Sequence, residues 1–277
     1  MSNDVFEVSI VKYGTRSTVK SDVYLNFHIY QMPDQPIEMD YFFWVIRNDA
    51  TTVVVDTGFS EHGGGVRART FVIEPRRAFE ALGVDPDSAP PVIVTHAHYD
   101  HIGNLGIFDK SRITMSRKEL EFWLSPFSER AQFKHSVESD ELKTLAAAHA
   151  QGRIDVFDGT HTLMPGIELI EVGGHTPGQV MVKVNTADGV VLLASDAVHF
   201  YEEYEDDIPF MFVNDLHAMY RTFDLIHAME ASGEVKHVVS GHDADTLNRF
   251  TKVTDGELAG LVATIGANGG AGTGRTK

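Results

Sequence analysis

The amino-acid sequence predicts a mixed α/β sandwich, in which helices cover the outer faces of packed β-sheets. Short runs rich in β-branched residues and bounded by turn residues indicate buried strands. Helical patterns lie between the later strands, and the chain opens with strands rather than with a regular alternation of strand and helix. This order favours packed sheets with outer helices over a doubly wound parallel sheet.

Several apolar runs are predicted to form the strands. Each run is short, contains few polar residues, and is followed by Gly, Asp, His or another residue that is common in turns. The predicted strands are Phe42–Ile46, Thr52–Val55, Val92–Thr95, Ile167–Val172, Met181–Val184, Val190–Ala194 and His237–Ser240.

Four segments between these runs are predicted to be helices. Pro75–Leu82 stops before a glycine, which commonly ends a helix. Ser116–Leu124 begins with Ser and has Glu119 three residues later, the spacing of a capping box. Ser139–Ala150 is rich in good helix formers, and Leu216–Met229 repeats apolar residues at the spacing of one buried helix face.

No linker divides the chain, so residues 1–265 are predicted to form a single domain. Of the 277 residues, 43% are hydrophobic, which suffices for a substantial core. Residues 266–277 are predicted to be a flexible, glycine-rich tail, because they lack the apolar side chains that would order them.

Charge and composition exclude several classes of protein. The chain has 23 Lys and Arg against 40 Asp and Glu, a formal net charge of −17, and such a surface repels nucleic acid. It has no cysteine, hence no disulfide and no thiolate metal site. Residues 1–20 lack the apolar segment of a secretion signal, and no run has membrane-spanning length. We therefore expect a cytoplasmic protein without a membrane or nucleic-acid partner.

Potential metal ligands follow the predicted strand Val92–Thr95 at once: His96, His98, Asp100 and His101. A spacing of two places His96 and His98 on one side of an extended chain, so both imidazoles can reach the same ion. Asp100 and His101 follow where the chain turns, and they can reach a second ion. Imidazole and carboxylate ligands without thiolate suit zinc, and also manganese, iron or cobalt.

Later strands deliver further candidates in the same way. His175, Asp196 and His242 each follow a predicted strand, and Asp56 follows Thr52–Val55. An isolated His-x-His pair is more often structural than metal-binding, but loops held by rigid strands commonly carry catalytic residues. The repeated arrangement therefore favours a metal site.

This set of ligands resembles the pattern of the metallo-β-lactamase superfamily, from about Asp56 to His242. The resemblance implies an αβ/βα four-layer sandwich (the metallo-β-lactamase fold) with two divalent metal ions, expected to be zinc, at one edge between the sheets. It also implies a role for each ligand: His96, His98 and His175 on the first ion, Asp100, His101 and His242 on the second, Asp196 bridging both, and Asp56 orienting the ligands.

Within the superfamily, the segments GGHTPGQVMVKV, LLASDAVHFYEEYEDDIPF and SGHD resemble those of the quorum-quenching N-acyl homoserine lactone lactonases. The resemblance implies a small lactone or ester as substrate, attack on its carbonyl by a hydroxide that bridges the metals, and a homodimer. Such lactonases often have a tyrosine three residues after the bridging aspartate, where this chain has His199. We expect His199 or Tyr201 to stabilise the oxyanion and Asp100 to shuttle a proton. A different lactone or ester remains open.

A glyoxalase II-like thioesterase, or another carboxylic-ester hydrolase of the superfamily, is the alternative, since the thioesterases share all seven ligands. Their helical glutathione-binding region is not expected in the short segment after His242. True metallo-β-lactamases do not use this bridging aspartate, and the nuclease branches need a basic path for their substrate. A catalytically inactive binding protein would not require the complete ligand set.

The first part of the chain is expected to shape the substrate pocket. Tyr24–Met32 and Phe42–Trp44 supply aromatic side chains, although aromatic strand residues usually lie in the core. Gly63–Arg69 is predicted to be a flexible loop near the site. Its two arginines could meet a carboxylate or amide of the substrate, and a solvated loop is the alternative.

Overall fold

The structure, a computed structural model, describes residues 4–266. Within this range the strands are β1 (Glu7–Val19), β2 (Pro36–Arg47), β3 (Thr52–Val55), β4 (Thr70–Phe71), β5 (Val92–Ile93), β6 (Ile113–Ser116), β7 (Ile154–Phe157), β8 (Thr160–Met164), β9 (Ile167–Glu171), β10 (Val180–Thr186), β11 (Gly189–Ser195), β12 (His237–Ser240), β13 (Thr251–Lys252) and β14 (Val262–Ile265). The predicted tail, apart from its first residue, lies outside the described residues.

The α-helices of the same range are α1 (Glu61–Val66), α2 (Pro75–Ala81), α3 (Tyr99–Ile102), α4 (Arg117–Trp123), α5 (Ala131–Lys134), α6 (Ser139–Ala150), α7 (Tyr201–Glu205) and α8 (Leu216–Ser232). The four helices predicted from the sequence correspond to α2, α4, α6 and α8. Across residues 4–266, every helix is too short or too polar to cross a membrane.

The strands form two sheets, whose order explains why several strand ends meet. The larger sheet runs β13-β14-β1-β2-β3-β5-β6-β7, with β4 paired to β1, and the smaller runs β12-β11-β10-β9-β8. In the larger sheet β3 and β5 are parallel, and in the smaller β11 and β12 are parallel. Parallel neighbours end at the same edge, so the loops after these strands lie together.

Three apolar layers hold the sheets and helices together, which confirms the predicted four-layer sandwich. Phe42, Trp44 and Ile46 of β2 pack between the two sheets against strands such as β10. Tyr41 and Phe43, on the opposite face of β2, pack beneath the helices of the larger sheet. Residues 41–46 do not alternate between polar and apolar side chains because both faces of β2 are buried. The expectation that Phe42–Trp44 forms the pocket surface is therefore wrong, and these side chains are core.

Helix α8 covers the outer face of the smaller sheet. Its residues Met219, Phe223 and Ile226 form one buried face and belong to a cluster with the strands beneath. The helix begins where the carboxylate of Asp215 accepts a hydrogen bond from the Ala218 amide (3.0 Å), and it ends at Gly233, whose φ is +74°.

The segment Gly63–Arg69 is not the flexible loop expected from its glycines. Its first half belongs to α1, and the hydroxyl of Ser60 caps this helix by accepting from the Gly63 amide (3.0 Å). The second half is fixed by Arg67, which donates to the carbonyl oxygen of His135 (2.6 Å). Local capping and long-range contacts of Arg67 thus order a segment of low intrinsic helix propensity.

Candidate metal centre

The seven predicted ligands are all buried and lie at one edge of the two sheets. They come from loops that follow β5, β9, β11 and β12, and from the short helix α3. The sheet order brings them together, because the parallel pairs β3/β5 and β11/β12 end at the same place. The ligands are His96, His98, Asp100, His101, His175, Asp196 and His242.

These side chains form two adjacent groups. The first group is His96, His98, His175 and Asp196, and the second is Asp100, His101 and His242. Within each group every residue offers one nitrogen or oxygen atom, and these atoms all lie within 4.8 Å of one another. Asp196 contacts both. Its Oδ2 is 3.4 Å from His175 Nε2, and its Oδ1 is 3.3 Å from His101 Nε2 and from His242 Nε2. Either group could therefore hold an ion, with Asp196 between the two.

Hydrogen bonds from the far side of the rings fix the direction of three histidines. The Nδ1 of His101 donates to Asp56 Oδ2 (2.7 Å), and the Nδ1 of His242 donates to the carbonyl of Asp40 (2.7 Å). The Nδ1 of His175 donates in the same way to the carbonyl of Phe212 (2.7 Å). Each ring thus turns its Nε2 towards the centre, as metal-binding histidines do.

The chemistry of this set fits two divalent metal ions. His96 Nε2, His101 Nε2 and Asp196 Oδ1 are buried and have no hydrogen-bond partner among residues 4–266, which is costly unless a ligand satisfies them. Burial lowers the pKa of His96 and His98, and it lowers the pKa of His175 to about 3. These rings are therefore neutral at pH 7, the form that binds a metal. Histidine and carboxylate without thiolate match zinc.

Asp56 joins the loop after β3 to the ligand loop after β5. Its Oδ1 accepts from the Thr95 amide (2.8 Å), and its Oδ2 accepts from the Thr95 hydroxyl (2.7 Å) as well as from His101. The residue is fully buried and its φ is +61°, a conformation that Asp tolerates better than most residues. Asp56 therefore contacts His101, as a residue that orients this ligand would.

Glu119 is a site residue that the sequence analysis missed. Its Oε1 accepts from the Ala97 amide (2.9 Å) and from Trp123 Nε1 (2.6 Å), and its Oε2 accepts from the Gly178 amide (2.9 Å). One buried carboxylate thus joins the His96-x-His98 loop to the loop that follows His175. The Ser116 hydroxyl does accept from the Glu119 amide (3.4 Å), but the Glu119 side chain turns into the core instead of completing the capping box.

His199 lies beside the metal ligands. Its Nε2 is 3.1 Å from Asp196 Oδ2, and its Nδ1 is 3.2 Å from Glu203 Oε1. Its ring stacks on Phe210 with a centroid distance of 3.7 Å and an interplanar angle of 13°. The side chain is therefore held on three sides at the centre.

Tyr201 lies elsewhere. Its hydroxyl donates to the carbonyl of Val238 (3.2 Å), and its ring packs in the apolar layer under α8, with the Arg249 guanidinium 3.3 Å from the ring centre. The ring is buried in this layer, and Tyr201 lines neither of the cavities at the ligand cluster. The expectation that Tyr201 contacts the substrate is therefore wrong.

Two cavities open at the ligand cluster, and His98 and His175 line both. The larger, about 420 Å³ including space open to solvent, is bounded by residues that include Arg16, Tyr41, Arg69, Tyr99 and His199. The smaller, about 360 Å³ on the same measure, is bounded in part by four aromatic side chains: Phe122, Trp123, Phe133 and Phe212. The centre is therefore reached from a side that carries arginines and from a side that carries aromatic rings.

Residues 40–242 match the family model described as the metallo-beta-lactamase superfamily. The N-acyl homoserine lactonase AiiA of Bacillus thuringiensis subsp. kurstaki is 27% identical over 193 residues, which covers 64% of this chain and 72% of the relative. The N-acyl homoserine lactonase AttM of Agrobacterium fabrum strain C58 is 27% identical over 181 residues, 64% of this chain and 66% of the relative.

Solved structures share the fold. A quorum-quenching N-acyl homoserine lactone lactonase superposes with a TM-score of 0.73 at 21% identity, over 88% of this chain and 95% of the other. AidC, a dizinc quorum-quenching lactonase in complex with a product, superposes with a TM-score of 0.67 at 17% identity, over 86% of this chain and 88% of the other.

Proposed function

Because the chain belongs to the metallo-β-lactamase superfamily, we propose that it is a dinuclear metal-dependent hydrolase that opens a lactone, either an N-acyl homoserine lactone or a related small lactone. The observation that carries this proposal is the position of the ligand cluster beside a cavity lined in part by aromatic side chains, which can pack against an acyl chain. The lactonase relatives AiiA and AttM support the choice of substrate.

We assign the ligands as the two groups suggest. His96, His98 and His175 hold the first ion, Asp100, His101 and His242 hold the second, and Asp196 contacts both. Two bound divalent ions supply a water molecule of lowered pKa and polarise an ester carbonyl. Hydrolysis then adds water across the ester C–O bond of the ring and yields a hydroxy acid.

Two side chains act on the substrate in this proposal. His199 donates a hydrogen bond from Nε2 to the carbonyl oxygen as negative charge develops there, since Glu203 and Phe210 hold its ring in place. Asp100, which lines the larger cavity, takes a proton on its carboxylate and returns it to the leaving ring oxygen. Both roles use groups already fixed by the fold.

A substrate comparison with the zinc-loaded protein tests the proposal. N-hexanoyl-homoserine lactone should be opened, with release of acid measured in a pH-stat, and S-lactoylglutathione should be a poor substrate. His98→Ala should reduce lactone opening to the uncatalysed rate, whereas His217→Ala, which removes an exposed histidine of α8, should not. Efficient cleavage of the thioester without lactone opening would favour the glyoxalase II-like alternative.

The remaining partners and the location are also proposals. The net charge of −17 supports a small-molecule substrate rather than nucleic acid. A homodimer and a cytoplasmic location rest on the resemblance and on composition. Light scattering coupled to size-exclusion chromatography measures the first, and fractionation of cells measures the second.

A further inference from the structure

One wall of the larger cavity is basic, with Arg16, Arg67 and Arg69 among the residues that bound it. Arg67 is committed to the fold. It donates to the carbonyls of Gly63 (3.0 Å) and His135 (2.6 Å) and to Glu138 Oε1 (2.6 Å), and its guanidinium lies 4.1 Å from the centre of the Tyr99 ring. Its role is to fix the segment after α1, which places Arg69.

The guanidinium of Arg69 is fixed by two hydrogen bonds, and its Nη2 is available to a ligand. Its Nε donates to the Tyr99 hydroxyl (3.1 Å) and its Nη1 donates to the carbonyl of Arg67 (2.6 Å). No hydrogen bond or ion pair joins its Nη2 to another residue between 4 and 266, and no carboxylate lies within ion-pair distance. A guanidinium that is fixed at one edge and free at the other is suited to a planar anion.

Arg16 reaches the same cavity from β1. Its Nη2 donates to the Thr18 hydroxyl (3.0 Å), and it too lacks a carboxylate partner among the described residues. Tyr41 also lines this wall: its ring centre is 5.8 Å from the Arg69 guanidinium and 4.9 Å from the His242 ring centre. Arg69 and His242 are thus no farther apart than the sum of these two distances. A small lactone with one substituent spans such a gap.

Arg16 and Arg69 differ from the surface arginines in where they lie. Arg77 is exposed and pairs with Glu257 (2.6 Å), whereas Arg16 and Arg69 are half-buried and line the cavity at the ligand cluster. A guanidinium that is partly removed from water beside an open cavity favours an anionic ligand there.

We propose that Arg69, assisted by Arg16, binds a carboxylate of the substrate, so that the preferred lactone carries an acidic group in addition to its ring ester. The inference rests on the proposed lactone hydrolysis and adds a specificity to it. The aromatic cavity takes apolar substituents, and the basic wall selects for negative charge on the other side of the ring.

The test compares two lactones of the same shape, γ-butyrolactone γ-carboxylate and its γ-carboxamide, with the zinc-loaded protein. We expect kcat/KM to favour the carboxylate by at least about tenfold, since a hydrogen bond to a charged group contributes roughly tenfold to 100-fold in binding. Arg69→Gln should lower this ratio about 10- to 100-fold, and Arg69→Lys should lower it less because the charge remains. Arg77→Gln, which removes an exposed arginine on α2, is the matched control and should keep the wild-type ratio.

The outcomes separate the inference from the proposed function. Equal or better opening of the carboxamide by the wild-type protein overturns the inference while lactone hydrolysis stands. If the protein opens N-hexanoyl-homoserine lactone but not the γ-carboxylate, the inference is likewise overturned and lactone hydrolysis stands. If no lactone is opened, the proposed function fails, and the inference fails with it. The wild-type ratio and Arg69→Lys decide the question even if Arg69→Gln does not fold.

Discussion

Glu119→Gln perturbs the contact that joins the two loops of the first metal group. The remaining oxygen of the amide can still accept from the Ala97 amide and from Trp123 Nε1, but its NH₂ then faces the Gly178 amide, which is also a donor. One buried hydrogen bond is lost and one N–H is left without an acceptor. The expected destabilisation is about 1–3 kcal/mol, the range measured for an unsatisfied buried polar group.

Metal affinity should fall together with stability. Ala97 lies between His96 and His98, and Gly178 follows His175 by three residues, so loosening the Glu119 contact lets these ligands separate. Loss of a partner that orients ligands typically weakens metal binding about 10- to 100-fold. Urea unfolding of the zinc-free protein measures the free energy of unfolding, and zinc titration against a chelator of known affinity measures the zinc affinity.

Glu121→Gln is the matched control, since Glu121 is exposed on the same helix α4. It should leave both the free energy of unfolding and the zinc affinity at the wild-type values. If Glu119→Gln behaves like Glu121→Gln, with less than about 0.5 kcal/mol of destabilisation and unchanged zinc affinity, the role given to Glu119 is refuted.

Three further predictions concern the surroundings of the site. Asp56→Asn can donate to His101 Nδ1, which moves the ring proton to Nε2; zinc titration should show about 10- to 100-fold weaker binding of one ion, and unchanged binding of both would contradict this. Gly241→Ala places a methyl group 2.7 Å from the Ser195 carbonyl oxygen and 2.8 Å from Asp196 Oδ1, so the zinc content measured by mass spectrometry should fall. Gly256→Ala is the control and should retain the metal, because its methyl group would have no atom within 4 Å. Burial raises the pKa of Glu141 to about 7 from 4.5, so the folded state loses stability as pH rises between these values. In urea unfolding of the zinc-free proteins, the free energy of unfolding of Glu141→Gln should rise by about 3 kcal/mol relative to wild type over this pH range. A difference that does not change with pH would contradict the raised pKa.

The strands that the sequence predicted are those whose apolar runs are short and continuous. The predicted bounds of β3 and β12 agree with the structure, because turn residues stop each run at both ends. Strand β1 (Glu7–Val19) was missed because its apolar residues are mixed with Lys, Thr, Arg and Ser. It is a strand because it pairs with β2 along its whole length and with β14 near the end of the described chain. Such pairing is non-local, and no local pattern contains it.

The ligands could be predicted because the requirements of a metal restrict both residue type and spacing. The residues that position them carry no such restriction. Glu119 accepts from amides 22 and 59 residues away in the chain, and within its own segment it looks like half of a capping box. Tyr201 shows the converse error: proximity to Asp196 in sequence suggested proximity in space, but α7 turns its ring towards α8.

The zinc content of the purified, zinc-loaded protein shows whether two ion sites share Asp196. We expect two zinc ions per chain for the wild type and for Asp188→Asn, which alters an exposed aspartate. We expect fewer than two for Asp196→Asn, because a neutral amide then contacts both groups in place of a carboxylate. A wild-type content of one zinc or none, or two zinc ions retained by Asp196→Asn, would contradict a shared dinuclear site.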